Sequence, residues 1–343
     1  MRLCCFIMVL AVNDPTLKEK VDLEKSWRCG DVQPITLGDG GYPSFCAMKR
    51  NNMIGVGGMD GLQIWDMSKR EIVKVLKMEG PCSSVCLLED VVLAGDEDGD
   101  MYVWRMDGNV LLSQFEAHCG PISCIVGVRD VVATVGEDGL SLWRQGTWEC
   151  EYVLEENYVQ IISLASAYDG KYLLVGDLYE GIRVWNISTR RCVQNLEGYA
   201  SGATRLCVHE SSVLSGTKDN GVKVWSLEDG TCKQTFPTPE KIVLCMAVDA
   251  DRIALGLKDR KRVDLSTNLQ RCFVEIWDIV QGDLIRTFDI NDTPVGVWLR
   301  RSELSVVAFD GKIIIWDFLS VCWCYGVTHA LQLDFGMGVK MGV

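Results

Sequence analysis

Seven tryptophans recur along this chain at a near-constant interval: Trp65, Trp104, Trp143, Trp185, Trp225, Trp277 and Trp316. The gaps between them are 39, 39, 42, 40, 52 and 39 residues. A fixed period of about forty marks a repeat architecture, in which one copy cannot bury its apolar faces without a neighbour. The fold must therefore be a stack or ring of seven similar units.

Each tryptophan ends the same short pattern. Apolar–variable–apolar triplets precede it, as in Leu62-Gln63-Ile64, Ile182-Arg183-Val184 and Val222-Lys223-Val224. That alternation predicts a strand with one buried face. Just ahead stand Asp60-Gly61, Asp98-Gly99, Asp138-Gly139, Asn220-Gly221 and Asp310-Gly311. Such pairs predict type I′ hairpin turns, because Asp, Asn and Gly accept positive φ at low cost. Before each turn lies another apolar strand with small residues, such as Val131-Val132-Ala133-Thr134-Val135-Gly136.

An earlier strand carries cysteine at what reads as one repeated position: Cys46, Cys86, Cys124, Cys207 and Cys245. A fourth strand follows the tryptophan, with Cys150, Cys192 and Cys232 near its start. Both sets read as core filling, since a small apolar residue repeated in register packs between copies. Four antiparallel strands per forty residues, seven times over, predict an all-β, seven-bladed β-propeller. With Trp65-Asp66, Trp277-Asp278 and Trp316-Asp317, residues 31–318 resemble the WD-repeat family. Elsewhere Arg105, Arg144, Asn186 and Ser226 replace the aspartate, and only Ala117-His118 keeps the family's histidine, here as a hydrogen-bonding group within its blade.

A propeller must close or leave strand edges exposed. The last tryptophan strand has no ordinary fourth strand after it, whereas Asp31-Val32-Gln33-Pro34-Ile35-Thr36-Leu37 precedes the first blade where a fourth strand belongs. This segment is expected to be the outer strand of the seventh blade. Pro34 is tolerable there because an outer strand has an unpaired side.

The formal net charge is −13. An acidic chain repels phosphate, so nucleic-acid binding is not expected. The 16 cysteines show no paired metal spacing, so neither zinc nor another cofactor is expected, and free thiols point to a reducing compartment, cytoplasm or nucleus. The three histidines, His118, His209 and His329, lie in no nucleophile or metal motif, and no phosphate-binding glycine loop is present, so the chain does not read as an enzyme. Behind Arg2 runs an apolar stretch, Leu3 to Val12, but Asn13-Asp14-Pro15 makes a poor cleavage region, and a secretory leader is not expected. Residues 319–343 read as an apolar C-terminal tail. Phe318 to Leu333 holds no Asp, Glu, Lys or Arg, yet is too short to span a membrane.

Leu3-Cys4-Cys5-Phe6, then Leu10, then Asp14-Pro15-Thr16-Leu17, are similar to the last part of an F-box. Ser26-Trp27-Arg28-Cys29-Gly30 is similar to the lead-in that joins an F-box to a propeller. The resemblance implies an F-box remnant and linker over residues 1–30, with a short N-terminal helical segment. It implies contact of Leu3, Phe6, Leu10, Pro15 and Leu17 with the Skp adaptor of a cullin ubiquitin ligase, in which the propeller captures substrates. The first part of an F-box is missing, and Lys18 stands where that family has tryptophan. The alternative is a non-catalytic scaffold with no ligase. Either reading implies protein partners, with one copy of the chain in a hetero-complex.

Blade six breaks the period. Its excess falls between Leu257 and Phe273, with Lys258, Arg260, Lys261 and Arg262 within five residues. It reads as a loop on one face of the ring, suited to an acidic or phosphorylated partner segment, because guanidinium forks match carboxylate and phosphate. The alternative is a solvated hairpin extension. Degron-reading receptors carry arginine just before the recurring cysteine. Here those positions are Phe45, Val85, Ser123, Leu206 and Leu244, with only Arg205 nearby.

Overall fold

A computed structural model describes residues 27–28, 32–40, 42–154, 161–177, 181–196, 203–217, 221–249, 251–263, 270–300 and 302–318. The strands of these residues form seven four-stranded antiparallel sheets, one per tryptophan. In blades one to six the strands lie in chain order from inner to outer, and the inner strands of successive blades touch one another around a closed circuit. Blades one to six span 44–76, 82–116, 124–154, 161–196, 203–236 and 241–290.

Blade seven is built from both ends of the ring. Its first three strands lie within 294–317, and its outer strand is Ile35–Leu37. Ile35 pairs with Ile315, Thr36 with Ile314 and Leu37 with Ile313. The expected closing strand is therefore present, though shorter than the segment that announced it. Just ahead of it, Trp27 is fully buried and stacks on Phe318 with ring centroids 3.6 Å apart. Arg28 reaches Asp278 at 3.7 Å, so the lead-in is fastened to blade six as well as blade seven. Trp27 and Arg28 are helical; the rest of the expected N-terminal helical segment, including Leu3, Phe6, Leu10, Pro15 and Leu17, lies outside the described residues, as does the 319–343 tail.

The tryptophans fill the seams between blades. Trp104 packs with Leu62, Ile64 and Leu76 of blade one, Trp143 with Leu93 and Val103 of blade two, and Trp225 with Leu174 and Val184 of blade four. Each indole thus belongs to the interface with the preceding blade, and Trp65 closes the series against Ile313 and Ile315 of blade seven. A buried tryptophan covers about 150–250 Å², so these seams hold much of the core. The residue after the tryptophan has a separate task. Asp66 Oδ1 accepts from Ser68 N at 2.9 Å, Asp278 Oδ1 from Val280 N at 2.9 Å, and Asn186 Oδ1 from Thr189 N at 3.0 Å. It caps the turn into the outer strand. Where Ser226 stands instead, Asp229 takes over and accepts from Thr231 N at 3.0 Å.

Two expectations about local structure need correction. The Asp-Gly turns are not type I′. Gly58 pairs with Gly61, and Gly136 with Gly139, so each glycine begins the next strand. Gly61 and Gly139 have φ of 115° and 120°, while Asp60 and Asp138 are not at positive φ. Two residues, Met59-Asp60 or Glu137-Asp138, lie between the paired glycines, and the second glycine of each pair takes the positive φ. The inner-strand cysteines also fall in two registers, not one. Cys46, Cys124 and Cys245 face Gly57, Val135 and Gly256, whereas Cys86 and Cys207 face Leu93 and Leu214, two residues further along. A shift of two keeps a side chain on the same face of the strand, so the packing role survives. Cys150, Cys192 and Cys232 lie opposite Trp143, Trp185 and Trp225 but are exposed, and they are not core filling. The outer strand has no further strand to cover it.

Candidate partner-binding face

Antiparallel order puts the turns between second and third strands at the same end of the ring as the loops from one blade to the next. Among the described residues blade six has the longest strands reaching that end. Its second and third strands, Arg252–Val263 and Gln270–Asp278, have 12 and 9 residues, whereas the corresponding strands in the other blades have five or six. Lys258 pairs with Cys272, and after a shift in register Val263 pairs with Gln270. The first half of the expected loop is therefore strand, the hairpin extension given above as the alternative. The inner strand Lys241–Asp249 is lengthened too, pairing Lys241 with Asp259 and Ile242 with Lys258. Arg260 N donates to Glu240 O at 2.8 Å. These bonds make the projection a continuation of the blade.

Lys258 and Arg260, two residues apart on that strand, share one face; Lys258 is half-buried and Arg260 exposed. Lys261 and Arg262 continue the strand, and their side chains lie outside the described residues. The neighbouring Lys241 is already engaged: its ammonium is 2.5 Å from Glu275 Oε1, and it sits over the Phe273 ring.

Arg205 approaches the same inner strand from the channel side. It is exposed on blade five, and its Nε donates to Leu244 O at 2.5 Å. Burial pushes the Cys245 thiol up to about 12, and the Arg205 charge partly opposes this. Burial also raises Cys124, on blade three, against the same guanidinium. Arg205 and Lys258 thus converge on the segment Ile242 to Leu244.

A ring of bulges at the channel mouth was not legible from the spacing. Register shifts recur near the start of the inner strands, between Ser44 and Cys46, Cys82 and Ser84, Ile161 and Ser163, Ala203 and Arg205, Val243 and Cys245, and Pro294 and Gly296. Bulges re-aim a side chain, and here they present Phe45, Ser83, Ile162, Leu244 and Val295, none of them buried. Four are apolar and none is cationic. Phe45 is 38% exposed and meets Phe309, 42% exposed, edge to face with centroids 5.9 Å apart. The sequence signal was Phe45 standing where degron readers have arginine.

On the opposite face a groove of 890 Å³ opens between blades two and three, lined in part by Arg50, Leu112, Arg129 and Trp148. Both arginines are bonded across blade seams, Arg50 to Leu87 O at 3.3 Å and Arg129 to Asp169 O at 2.9 Å. Their visible work is to fasten neighbouring blades. Among the described residues no three His, Cys, Asp or Glu side chains are placed to hold a metal ion.

No protein-family model matches the chain. Three curated relatives resemble part of the chain. Mitochondrial division protein 1 of Saccharomyces cerevisiae is 22% identical over 232 residues, covering 63% of this chain and 28% of the relative. Human angio-associated migratory cell protein is 23% identical over 209 residues, covering 59% and 44%. Human DDB1- and CUL4-associated factor 4 is 25% identical over 163 residues, covering 46% and 32%. The chain spans less than half the length of each of these relatives. Among solved structures, the β-propeller domain of Cps50 (Swd1) from Myceliophteria thermophila superposes with a TM-score of 0.71 at 15% identity, covering 83% of this chain and 99% of that one. The computationally designed Ika8 protein gives 0.64 at 20% identity, covering 80% and 83%. With the repeats, the ring and these likenesses in agreement, the chain is a seven-bladed β-propeller, and its repeats are similar to those of WD-repeat proteins.

Proposed function

We propose that this propeller is the non-catalytic, substrate-capturing part of a cullin-type ubiquitin ligase, acting as one copy within a hetero-complex of the cytoplasm or nucleus. The observation that carries the capture half is the lengthened blade-six hairpin. Lys258, Arg260, Lys261 and Arg262 all fall on this lengthened strand in a chain with net charge −13, and Arg205 bonds to Leu244 on the same blade. An acidic or phosphorylated segment is the partner chemistry that suits it. The ligase half is supported by the F-box-like residues before Trp27 and by the likeness to DDB1- and CUL4-associated factor 4, whose name places that protein with a cullin. A scaffold without a ligase is the second reading, favoured by Lys18 standing where the F-box family has tryptophan.

Affinity purification of the tagged full chain separates the two readings. Co-purification of a Skp adaptor or a cullin is expected, and recovery of other partners with neither would leave the scaffold. The charge-reversed variant Lys258→Glu/Arg260→Glu should lose substrates but keep the adaptor. If it retains every partner, the hairpin is not the capture site.

A further inference from the structure

Charge on the partner-binding face is uneven, although exposed Lys77 stands in the linker between blades one and two, beside Gly61. Opposite the basic hairpin, the turns of blades one, two and three carry Asp60, Glu97, Asp98 and Glu137, all exposed. Neighbouring Asp138 is committed to His118, and Asp310 of blade seven to Lys312 at 2.6 Å. The linker ahead of blade two adds no bulk, because Gly80 stands where a Cβ would lie 3.4 Å from both Asp96 Oδ2 and Asp98 Oδ2. Beside this arc, at the seam of blades seven and one, sits the Phe45–Phe309 pair. Met59, 54% exposed, occupies the next turn.

The aromatic pair is held from behind. Phe309 N donates to Thr293 O at 2.8 Å, and Ser44 N donates to Phe309 O at 2.7 Å. The fully buried Ser44 hydroxyl donates to Ala308 O at 2.8 Å. Two exposed rings on a fixed backbone make a low-entropy anchor. Carboxylates beside aromatic faces attract cations twice over, through Coulomb attraction and through the ring quadrupole. The same field repels phosphate, which removes nucleic acid and anionic lipid as occupants.

We infer that this arc docks a basic segment of a partner protein, with lysines and arginines over Asp60, Glu97, Asp98 and Glu137 and one apolar or aromatic side chain on Phe45 and Phe309. The segment's polarity is set by the ring. Its cationic part lies over blades one to three, and an acidic continuation reaches blade six. The inference rests on reading this end as the protein-binding one and is independent of any ligase.

The test is a peptide array probed with the full chain. One set places Phe or Leu among Arg and Lys; the matched set replaces each Arg and Lys with Glu. Retention of the cationic set, weakening as salt rises, is expected. Glu97→Gln/Asp98→Asn should weaken that retention roughly three- to tenfold, and Phe309→Ala about tenfold, both at unchanged melting temperature. Asparagine keeps the turn chemistry at position 98. Equal or better retention of the acidic set, no retention of the cationic set, or indifference to both variants would overturn the inference. Loss of acidic peptides alone in Lys258→Glu/Arg260→Glu would mark the hairpin as a separate site and leave the arc standing.

Discussion

Trp225 donates its indole N–H to Ser215 Oγ at 2.9 Å, across the second and third strands of blade five. Blade three repeats the bond between Trp143 and Thr134 Oγ1 at 2.8 Å, and there Thr134 also meets His118 Nε2 at 2.7 Å while His118 Nδ1 meets Asp138. Blade six reaches the same end by a different residue. Leu255 occupies the hydroxyl position, and its cross-strand partner Glu275 accepts from Trp277 Nε1 at 3.0 Å. Blades one and four have Val56 and Val175 there, and the Trp65 and Trp185 N–H groups are buried without a partner.

Supplying the missing acceptor should stabilise the ring. Val175→Thr keeps the shape of the side chain and adds a hydroxyl beside Trp185, for a gain of about 1 kcal/mol. Ser215→Ala should cost about 1–3 kcal/mol by orphaning Trp225 Nε1. Denaturant melts of the two variants are expected to shift in opposite directions. A loss of stability in Val175→Thr would show that the indole is satisfied by some other route.

Closure should be the weak point of the ring. Trp27→Ala removes a fully buried side chain stacked on Phe318 and is expected to cost about 3–5 kcal/mol. Deleting residues 31–38 removes the strand paired with 313–315 and should lower the melting temperature further. An unchanged melting temperature in the deletion would mean that another segment takes over as the outer strand of blade seven.

The cysteines should divide by position. Burial pushes Cys86 and Cys245 up to about 12 and Cys207 up to about 11. At neutral pH an alkylating reagent should label Cys150, Cys192 and Cys232, which are exposed, and spare those three. Because the folded thiols hold their protons to higher pH than the unfolded chain does, stability should be full below about 8.5 and fall as pH rises toward 12. Cys245→Ala should flatten that alkaline limb in a series of thermal melts. An unaltered slope would assign the limb to other groups.

The periodic part of the structure was legible because tryptophan spacing, turn glycines and strand alternation all report the same local unit. The closing strand was legible for the same reason: an unpaired fourth-strand pattern before Ser44 matched a missing one after Trp316. What escaped were features set by register. One bulged residue between Ser44 and Cys46, or between Val243 and Cys245, is invisible in spacing yet decides which side chains reach the channel mouth. The two cysteine registers escaped as well, because a difference of two residues leaves cysteine on the same strand face. Exposure of Cys150, Cys192 and Cys232 escaped because an apolar residue opposite a tryptophan looks buried until the strand is known to be outermost. The Phe45–Phe309 contact joins residues far apart in sequence, and only closure of the ring brings them together.

That closure also sets an order of events during synthesis. Ile35 leaves the ribosome early, but its partner Ile315 is among the last residues of the ring to appear. At about 5–20 residues per second the wait is on the order of tens of seconds. Throughout it Ile35–Leu37 has no strand to join, and blade one lacks the neighbour that Trp65 packs against. The growing chain therefore carries an open edge at each end of the nascent arc, and it needs shielding from its own kind until the last blade is complete.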